Sequence, residues 1–250
     1  MRRLAEAVVP PSKQSLVVDV GCGTGANLAA LADAYDCLGI DTSAEAVALA
    51  QQRFPAVQFV AGFAPDDLGD RMARARLVLL MDVLEHIEDD FTILSKLLSA
   101  ASPGCHFLIT VPADEGLWSR HDESFGHYRR YDRERLEAVW QGLPVVCRMV
   151  SHFNARLLPL IRWVRVRNQR RGAAAGTAGT DFWLPPRPVN WLLTRAFSGE
   201  SGRLAGLLGE MPGRTAYRAG ASLVAILRRE PGVCAIREKP PGLPPDHRPR

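Results

Sequence analysis

The sequence predicts an α/β fold with a mostly parallel, seven-stranded sheet and a helical insertion before the last strand. Three observations predict it. The apolar run Val17-Val18-Asp19-Val20 ends at the turn Gly21-Cys22-Gly23-Thr24-Gly25 and leads into a helical pattern. Short apolar runs then alternate with helix-forming stretches, the rhythm of strands joined by crossover helices. Asp41 and Asp82 directly follow two of those runs, at strand ends where open parallel sheets bind ligands.

Residues 1 to 15 are a short lead, a partial helix broken by Pro10-Pro11. Leu16–Val20 is the expected central strand and Ala26–Ala34 the helix that follows the turn. Cys37–Ile40 is the second strand, with Asp41 at its carboxyl end. Ser43 caps an alanine-rich helix that ends near Arg53. Val57–Val60 is the third strand and Leu77–Met81 the fourth, with Asp82–Ile87 leaving it across the crevice. A helix over Glu88–Ala101 stops at Ser102-Pro103-Gly104. The fifth strand, Cys105–Val111, is apolar almost throughout, as a buried parallel strand is. Asp132 caps a helix over Arg133–Gln141; Val145–Ser151 is the sixth strand and Gly220–Arg228 the last, closing an antiparallel hairpin.

Glycine admits tight turns and lets a ligand approach the backbone, and the N–H groups of the following helix bind polar ligand atoms. The spacing Gly-x-Gly-x-Gly differs from the dinucleotide pattern, and no Gly-Lys-Ser/Thr follows as in a phosphate loop. Together with Gly39-Ile40-Asp41-Thr42-Ser43 and Leu80-Met81-Asp82-Val83-Leu84-Glu85-His86-Ile87, in that order, this turn resembles the motifs of class I S-adenosylmethionine-dependent methyltransferases. The resemblance implies a Rossmann-like fold and S-adenosyl-L-methionine as cofactor. It places Asp19, Gly21, Cys22, Gly23 and Gly25 at the methionine end, Asp41 and Thr42 at the ribose, and Met81, Asp82 and Val83 along the crevice wall. The third strand departs from relatives: Ala61-Gly62-Phe63-Ala64 lacks the polar residue that often meets the adenine amine. His86 is open to a structural reading.

The most chemically dense stretch is the loop Pro112–Tyr131, at the carboxyl end of the fifth strand. Its Trp118, His121, Asp122, His127, Arg129, Arg130 and Tyr131 match a loop of a bacterial subgroup of small-molecule methyltransferases. His121 and His127 are the expected catalytic bases, histidine being the side chain suited to proton transfer near neutral pH, with Asp122 orienting an imidazole. Trp118, Arg129, Arg130 and Tyr131 are expected to bind the substrate, arginines being suited to a carboxylate or phosphate. The alternative is a rigid lid in which Asp122 pairs with an arginine. No metal is expected, because His121, Asp122 and His127 lack a characteristic ligand spacing.

The insertion, 153–210, begins with Phe153–Val166, read as a helix that is mainly apolar but carries Arg156, Arg162 and Arg165; no carboxylate occurs from 153 to 171. It fits a lid on the substrate pocket, or peripheral contact with an anionic membrane through 153–171. Gly172–Gly179 reads as a flexible loop and Asp181–Pro188 as a proline-rich bridge; helices follow from Asn190 to Phe197 and Gly202 to Leu208. Residues 1–230 are expected to form one domain, and 231–250 a proline-rich flexible tail.

A formal charge of +4, from 31 basic and 27 acidic residues, does not indicate a nucleic-acid partner. The five cysteines are scattered without Cys-x-x-Cys pairs, so buried thiols in a reducing compartment are expected. No secretion signal or membrane span is evident, and the expected location is the cytoplasm or the inner membrane face. The sequence assigns no oligomeric state. The residues thus read as a methyltransferase for a small acceptor with O, N or activated carbon. The alternatives are an enzyme for a lipid-linked or quinone-like acceptor, and a catalytically silent cofactor-binding partner protein, the last suggested by the short lead and the missing third-strand acid.

Overall fold

The computed structural model describes residues 1–170, 186–209 and 215–232. Seven strands form one sheet: β1 (Ser12–Val20), β2 (Tyr35–Asp41), β3 (Gln58–Ala61), β4 (Ala75–Met81), β5 (His106–Pro112), β6 (Val145–Phe153) and β7 (Ser222–Arg229). Their order is β3-β2-β1-β4-β5-β7-β6. Contacts among β1 to β5 are parallel, and β7 runs antiparallel between β5 and β6. The order reverses between β1 and β4, which opens a crevice beyond their carboxyl ends.

Register decides what meets at that crevice. Val20 pairs with Ile40 on one side and Leu80 on the other, and Met81 pairs with Thr110. Gly21, Asp41, Asp82 and Thr110 are therefore neighbours along one rim, although they are far apart in sequence.

Side chains alternate across the strands, so the core has two layers. Val18, Val20, Val78, Leu80, Phe107 and Ile109 face helices α5 (Asp90–Ala100) and α7 (Arg133–Ala138), burying Phe91, Leu94, Leu98 and Leu136. Val17, Leu77, Leu79 and Leu108 face the other layer, formed by α1 (Arg2–Val8), α2 (Ala26–Ala29), α3 (Ala44–Arg53) and α10 (Ser201–Gly206). Asp19 shares the parity of Val17, so a carboxylate enters this second apolar layer.

Several boundaries differ from the expectation. α2 has only four residues, because Leu31 and Ala34 donate to carbonyls three residues back and tighten the chain toward β2. β2 begins at Tyr35, whose buried hydroxyl donates to Val9 O at 2.7 Å. After β4 the chain makes a 3-10 turn, Leu84–His86, and α5 begins only at Asp90, since Asp89 accepts from Thr92 N. α7 ends at Ala138, although Asp132 caps it as expected through Arg135 N. Two short helices were not foreseen, α4 (Asp70–Arg74) and α6 (Arg120–Ser124).

The insertion lies between β6 and β7. It contains α8 (Leu158–Arg170), α9 (Arg187–Ser198) and α10. α8 starts five residues later than expected because β6 continues to Phe153 and Asn154 turns with φ +57°. α9 starts before Asn190, with Pro188 in its first turn, where no N–H is required. The segment Gly172–Gly179, most of Asp181–Pro188 and residues 233–250 lie outside the described residues. Cys22, Cys37 and Cys105 are buried free thiols and Cys147 is partly buried; Cys234 also lies outside.

Candidate active site

The glycine turn has the backbone its composition requires. Gly21, Gly23 and Gly25 have φ of +72°, +50° and +81°, a region that L side chains rarely adopt. A Cβ at Gly25 would fall 2.6 Å from the Phe59 ring, whereas one at Gly23 would meet nothing within 4 Å. Gly25 thus serves packing, and Gly23 leaves backbone open to a ligand. Asp41 closes the turn: its carboxylate accepts from Gly23 N at 2.8 Å and Ser43 N at 2.9 Å.

Beneath the turn, Asp19 is fully buried and neither of its oxygens has a hydrogen-bond partner at ordinary distance and angle, the Asn27 amide being the nearest approach to one. Burial pushes its pKa up to about 7, offset only in part by the neighbouring Asn27 amide. An orphaned buried carboxylate needs a donor, and an ammonium would supply one.

Three cavities open along the rim. One of about 400 Å³ runs past Gly21, Asp41, Thr42, Phe63 and Val83. The Phe63 ring, 68% exposed, stands at its edge. A carboxylate does reach this strand end: Asp67, from the following turn, accepts from Phe63 N at 2.7 Å. A second cavity, of about 580 Å³, lies between the rim residues Asn27, Met81 and Thr110 and a cover made of α1 and the insertion. The third, of about 330 Å³, is lined by Glu85, His86, His121, Phe125, His127 and Arg130. Asp82 lines all three. It has φ +56° and is held there by its N–H donating to Thr110 O at 3.0 Å and by the Thr110 hydroxyl at 3.3 Å from its carboxylate. A non-glycine residue in the left-handed region at the meeting point of three cavities is a strained position typical of functional sites.

The histidine loop contributes to the third cavity. Asp122 is fully buried; one oxygen accepts from Ser119 N and Oγ, at 2.9 and 3.0 Å. Its other oxygen lies 3.2 Å from His127 Nδ1 and 2.8 Å from Arg130 Nε. Arg130 also donates to Ala113 O at 2.9 Å, so its guanidinium is anchored within the loop while it borders the cavity. The His121 ring contacts Phe125 and approaches His127, their centroids 6.4 Å apart.

Two of the residues expected at the substrate are engaged inside the protein. Arg129 is buried and donates to Ile87 O, Glu88 O and Asp90. Tyr131 is fully buried, and its hydroxyl donates to the same Asp90 oxygen at 2.9 Å. Neither lines a cavity described above; both tie the loop to the start of α5. Trp118 is half-buried and its indole N–H points to Glu123 at 3.4 Å, likewise away from the three cavities.

Sequence reasoning missed Glu85 as a site residue and left His86 unassigned. Both belong to the 3-10 turn after Asp82, and Glu85 is only 1% exposed. Burial, then the neighbouring Asp82, holds its carboxyl well above the usual range. Their signal was a Glu-His pair beginning three residues after the strand-end acid Asp82.

The profile of a protein family described as a methyltransferase domain matches residues 1–158, over half of the chain. A trans-aconitate 2-methyltransferase from Deinococcus radiodurans is 31% identical over 113 residues, 44% of this chain and 42% of that protein. The chain thus aligns with under half the length of this curated relative. A phosphoethanolamine N-methyltransferase 2 of Haemonchus contortus, solved with S-adenosyl-L-methionine, superposes with TM-score 0.53 and 17% identity, covering 92% of this chain and 51% of that one. A plantazolicin methyltransferase gives TM-score 0.55 and 14% identity, covering 92% of this chain and 82% of that one. At such identities the likeness concerns the fold. The family match takes in the glycine turn, the acidic strand ends and the histidine loop in one span, and the chain accordingly belongs to the methyltransferase-domain family, with the class I S-adenosylmethionine-dependent fold.

Proposed function

We propose that the protein transfers the methyl group of S-adenosyl-L-methionine to a small acceptor. The observation that carries this reading is the meeting of three cavities at Asp82, one bordered by the glycine turn and Asp41, another by histidines. Asp41, still able to accept through its second lone pairs, would take the ribose hydroxyls, with Thr42 beside it. Phe63 would lie on the adenine and Asp67 near its edge. Asp19 would hold the cofactor ammonium below Gly21, Cys22 and Gly23, while Met81, Asp82 and Val83 wall the crevice.

In the transfer, an acceptor lone pair forms the new bond to the methyl carbon as the carbon–sulfur bond breaks. The electron pair goes to sulfur and leaves neutral S-adenosylhomocysteine. The acceptor's proton would pass to His121 or His127, the latter oriented by Asp122. Enforced approach of donor and acceptor supplies much of the remaining catalysis. Untargeted metabolite profiling with methyl-labelled cofactor and cell extract tests this reading. Label in one small product that is lost in His121→Gln supports it. Cofactor binding without any labelled product favours the silent-partner alternative.

A second reading has its own observation. Leu160, Trp163 and Val164 of α8 and Val189, Trp191 and Leu192 of α9 are all exposed. Arg167 and Arg195 lie over the two indoles, at 5.2 and 5.1 Å. Exposed tryptophans beside arginines suit a bilayer interface, and an acceptor drawn from a membrane would fit. No helix among the described residues is long and apolar enough to cross one. Arg162 supports the lid role instead, since it pairs with Asp114 of the histidine loop at 2.8 Å. Flotation with anionic vesicles that disappears in a Trp163→Ser, Trp191→Ser double variant supports membrane contact. Absence of flotation for the unaltered protein removes it.

A further inference from the structure

We propose that Glu85, His86 and His127 form a binding site for a divalent transition-metal ion. One ligand atom from each residue comes within 4.8 Å of the other two. With metal–ligand bonds of about 2.0–2.2 Å, tetrahedral donors stand roughly 3.4 Å apart, so small side-chain rotations bring these three into range. The His86 and His127 rings are already edge to face, with centroids 4.6 Å apart and planes at 87°.

Two independent features point to a missing cation. Glu85 Oε2 is buried without a hydrogen-bond partner. The neighbouring guanidinium, Arg130, directs its nitrogens to Asp122 and Ala113 O instead. A buried carboxylate oxygen left unpaired is costly, and metal coordination is one of the few ways to satisfy it. The other feature is the support of His127. Its Nδ1 faces the buried Asp122 carboxylate, itself fixed by Ser119 and Arg130, which leaves Nε2 for coordination. A carboxylate on the far nitrogen is the usual way a ligating histidine is oriented. Expectations based on sequence spacing missed this because Asp122 supports a ligand and the carboxylate ligand comes from another segment.

Two imidazoles and one carboxylate suit Zn²⁺, Co²⁺ or Mn²⁺ better than Mg²⁺ or Ca²⁺, which favour all-oxygen sites. The cation would border the third cavity, with positions open to an acceptor. Resting on the methyltransferase reading, this deepens it: the acceptor atom is oxygen. A hydroxyl bound to the cation has a lowered pKa and gives its proton to His121, the histidine not engaged as a ligand. The resulting oxygen nucleophile takes the methyl as the carbon–sulfur bond breaks.

Metal-stripped protein titrated with Co²⁺ and followed by visible absorption tests the site without any acceptor. The expected result is one equivalent bound per chain, with the spectrum of nitrogen and oxygen ligation, and at least a tenfold loss of affinity in Glu85→Gln. His86→Asn, at the partly exposed edge, gives the same loss and covers the case in which Glu85→Gln fails to fold. Calorimetry with S-adenosylhomocysteine on the same proteins separates the two readings. Cofactor binding kept while Co²⁺ binding is lost supports the site. No stoichiometric Co²⁺ binding by the unaltered protein, or equal binding by folded variants, overturns it, whatever becomes of the methyltransferase assignment.

Discussion

Replacing Asp19 by asparagine is expected to stabilise the ligand-free protein while weakening cofactor binding. The carboxylate is buried without a hydrogen-bond partner at ordinary distance and angle, and its pKa is raised from 3.8 to about 7. Between those values the folded state keeps a proton that the unfolded chain has lost. Stability therefore falls as pH rises from about 4 to about 7 and stays level above. At 1.36 kcal/mol per pH unit the full shift corresponds to a ceiling of about 4 kcal/mol, and relaxation of the site reduces this to about 1–3 kcal/mol. Asp19→Asn removes the charge at constant shape. In a chain of this size each kcal/mol moves the melting temperature by roughly 2–4 °C. The variant-minus-wild-type difference in Tm is thus expected to be small near pH 4, to grow to about 3–10 °C by pH 7 and to be constant above. S-adenosylhomocysteine affinity is expected to fall by about 10- to 150-fold, the loss of a hydrogen bond to a charged partner worth about 1.5–3 kcal/mol. A variant with unchanged Tm at pH 8 and unchanged affinity refutes the assignment of Asp19 as a buried acceptor awaiting the ammonium.

Other substitutions test separate parts of the site. Gly25→Ala forces a Cβ against the Phe59 ring at φ +81°, so a loss of at least about 1–3 kcal/mol in denaturant unfolding and no detectable cofactor binding are expected. Asp122→Ala leaves Arg130 buried without its carboxylate, and chemical denaturation is expected to show a loss of about 3–5 kcal/mol. Tyr131→Phe removes one buried hydrogen bond to Asp90; about 1 kcal/mol of stability is expected to go while S-adenosylhomocysteine affinity is unchanged, and a changed affinity contradicts the framework role.

The sheet was legible because buried parallel strands leave mainly apolar runs, as in Leu16–Val20, Leu77–Met81 and Cys105–Val111. The crevice followed, since Gly21, Asp41 and Asp82 each sit just past such a run. Helix ends were less legible: α2 stops at Ala29 without a glycine or proline signal, drawn off by the pairing of Tyr35 with Ser12. The histidine loop divides by parity. Arg129 and Tyr131 meet Asp90 while Arg130, between them, meets Asp122. Adjacent arginines in an extended segment point to opposite sides, so the two guanidiniums are held by different carboxylates. Glu85 was missed because its burial depends on the loop at 119–130 folding over it, a contact between segments about forty residues apart.

The central claim is that the crevice at the glycine turn binds the cofactor with Asp41 on the ribose. Isothermal titration of S-adenosylhomocysteine into the protein and into folded Asp41→Ala tests it most directly. The account predicts one site per chain and a loss of about 100-fold in the variant, as expected when a charged acceptor of two hydroxyls is removed. Equal affinity in the two proteins, or no binding to either, contradicts it.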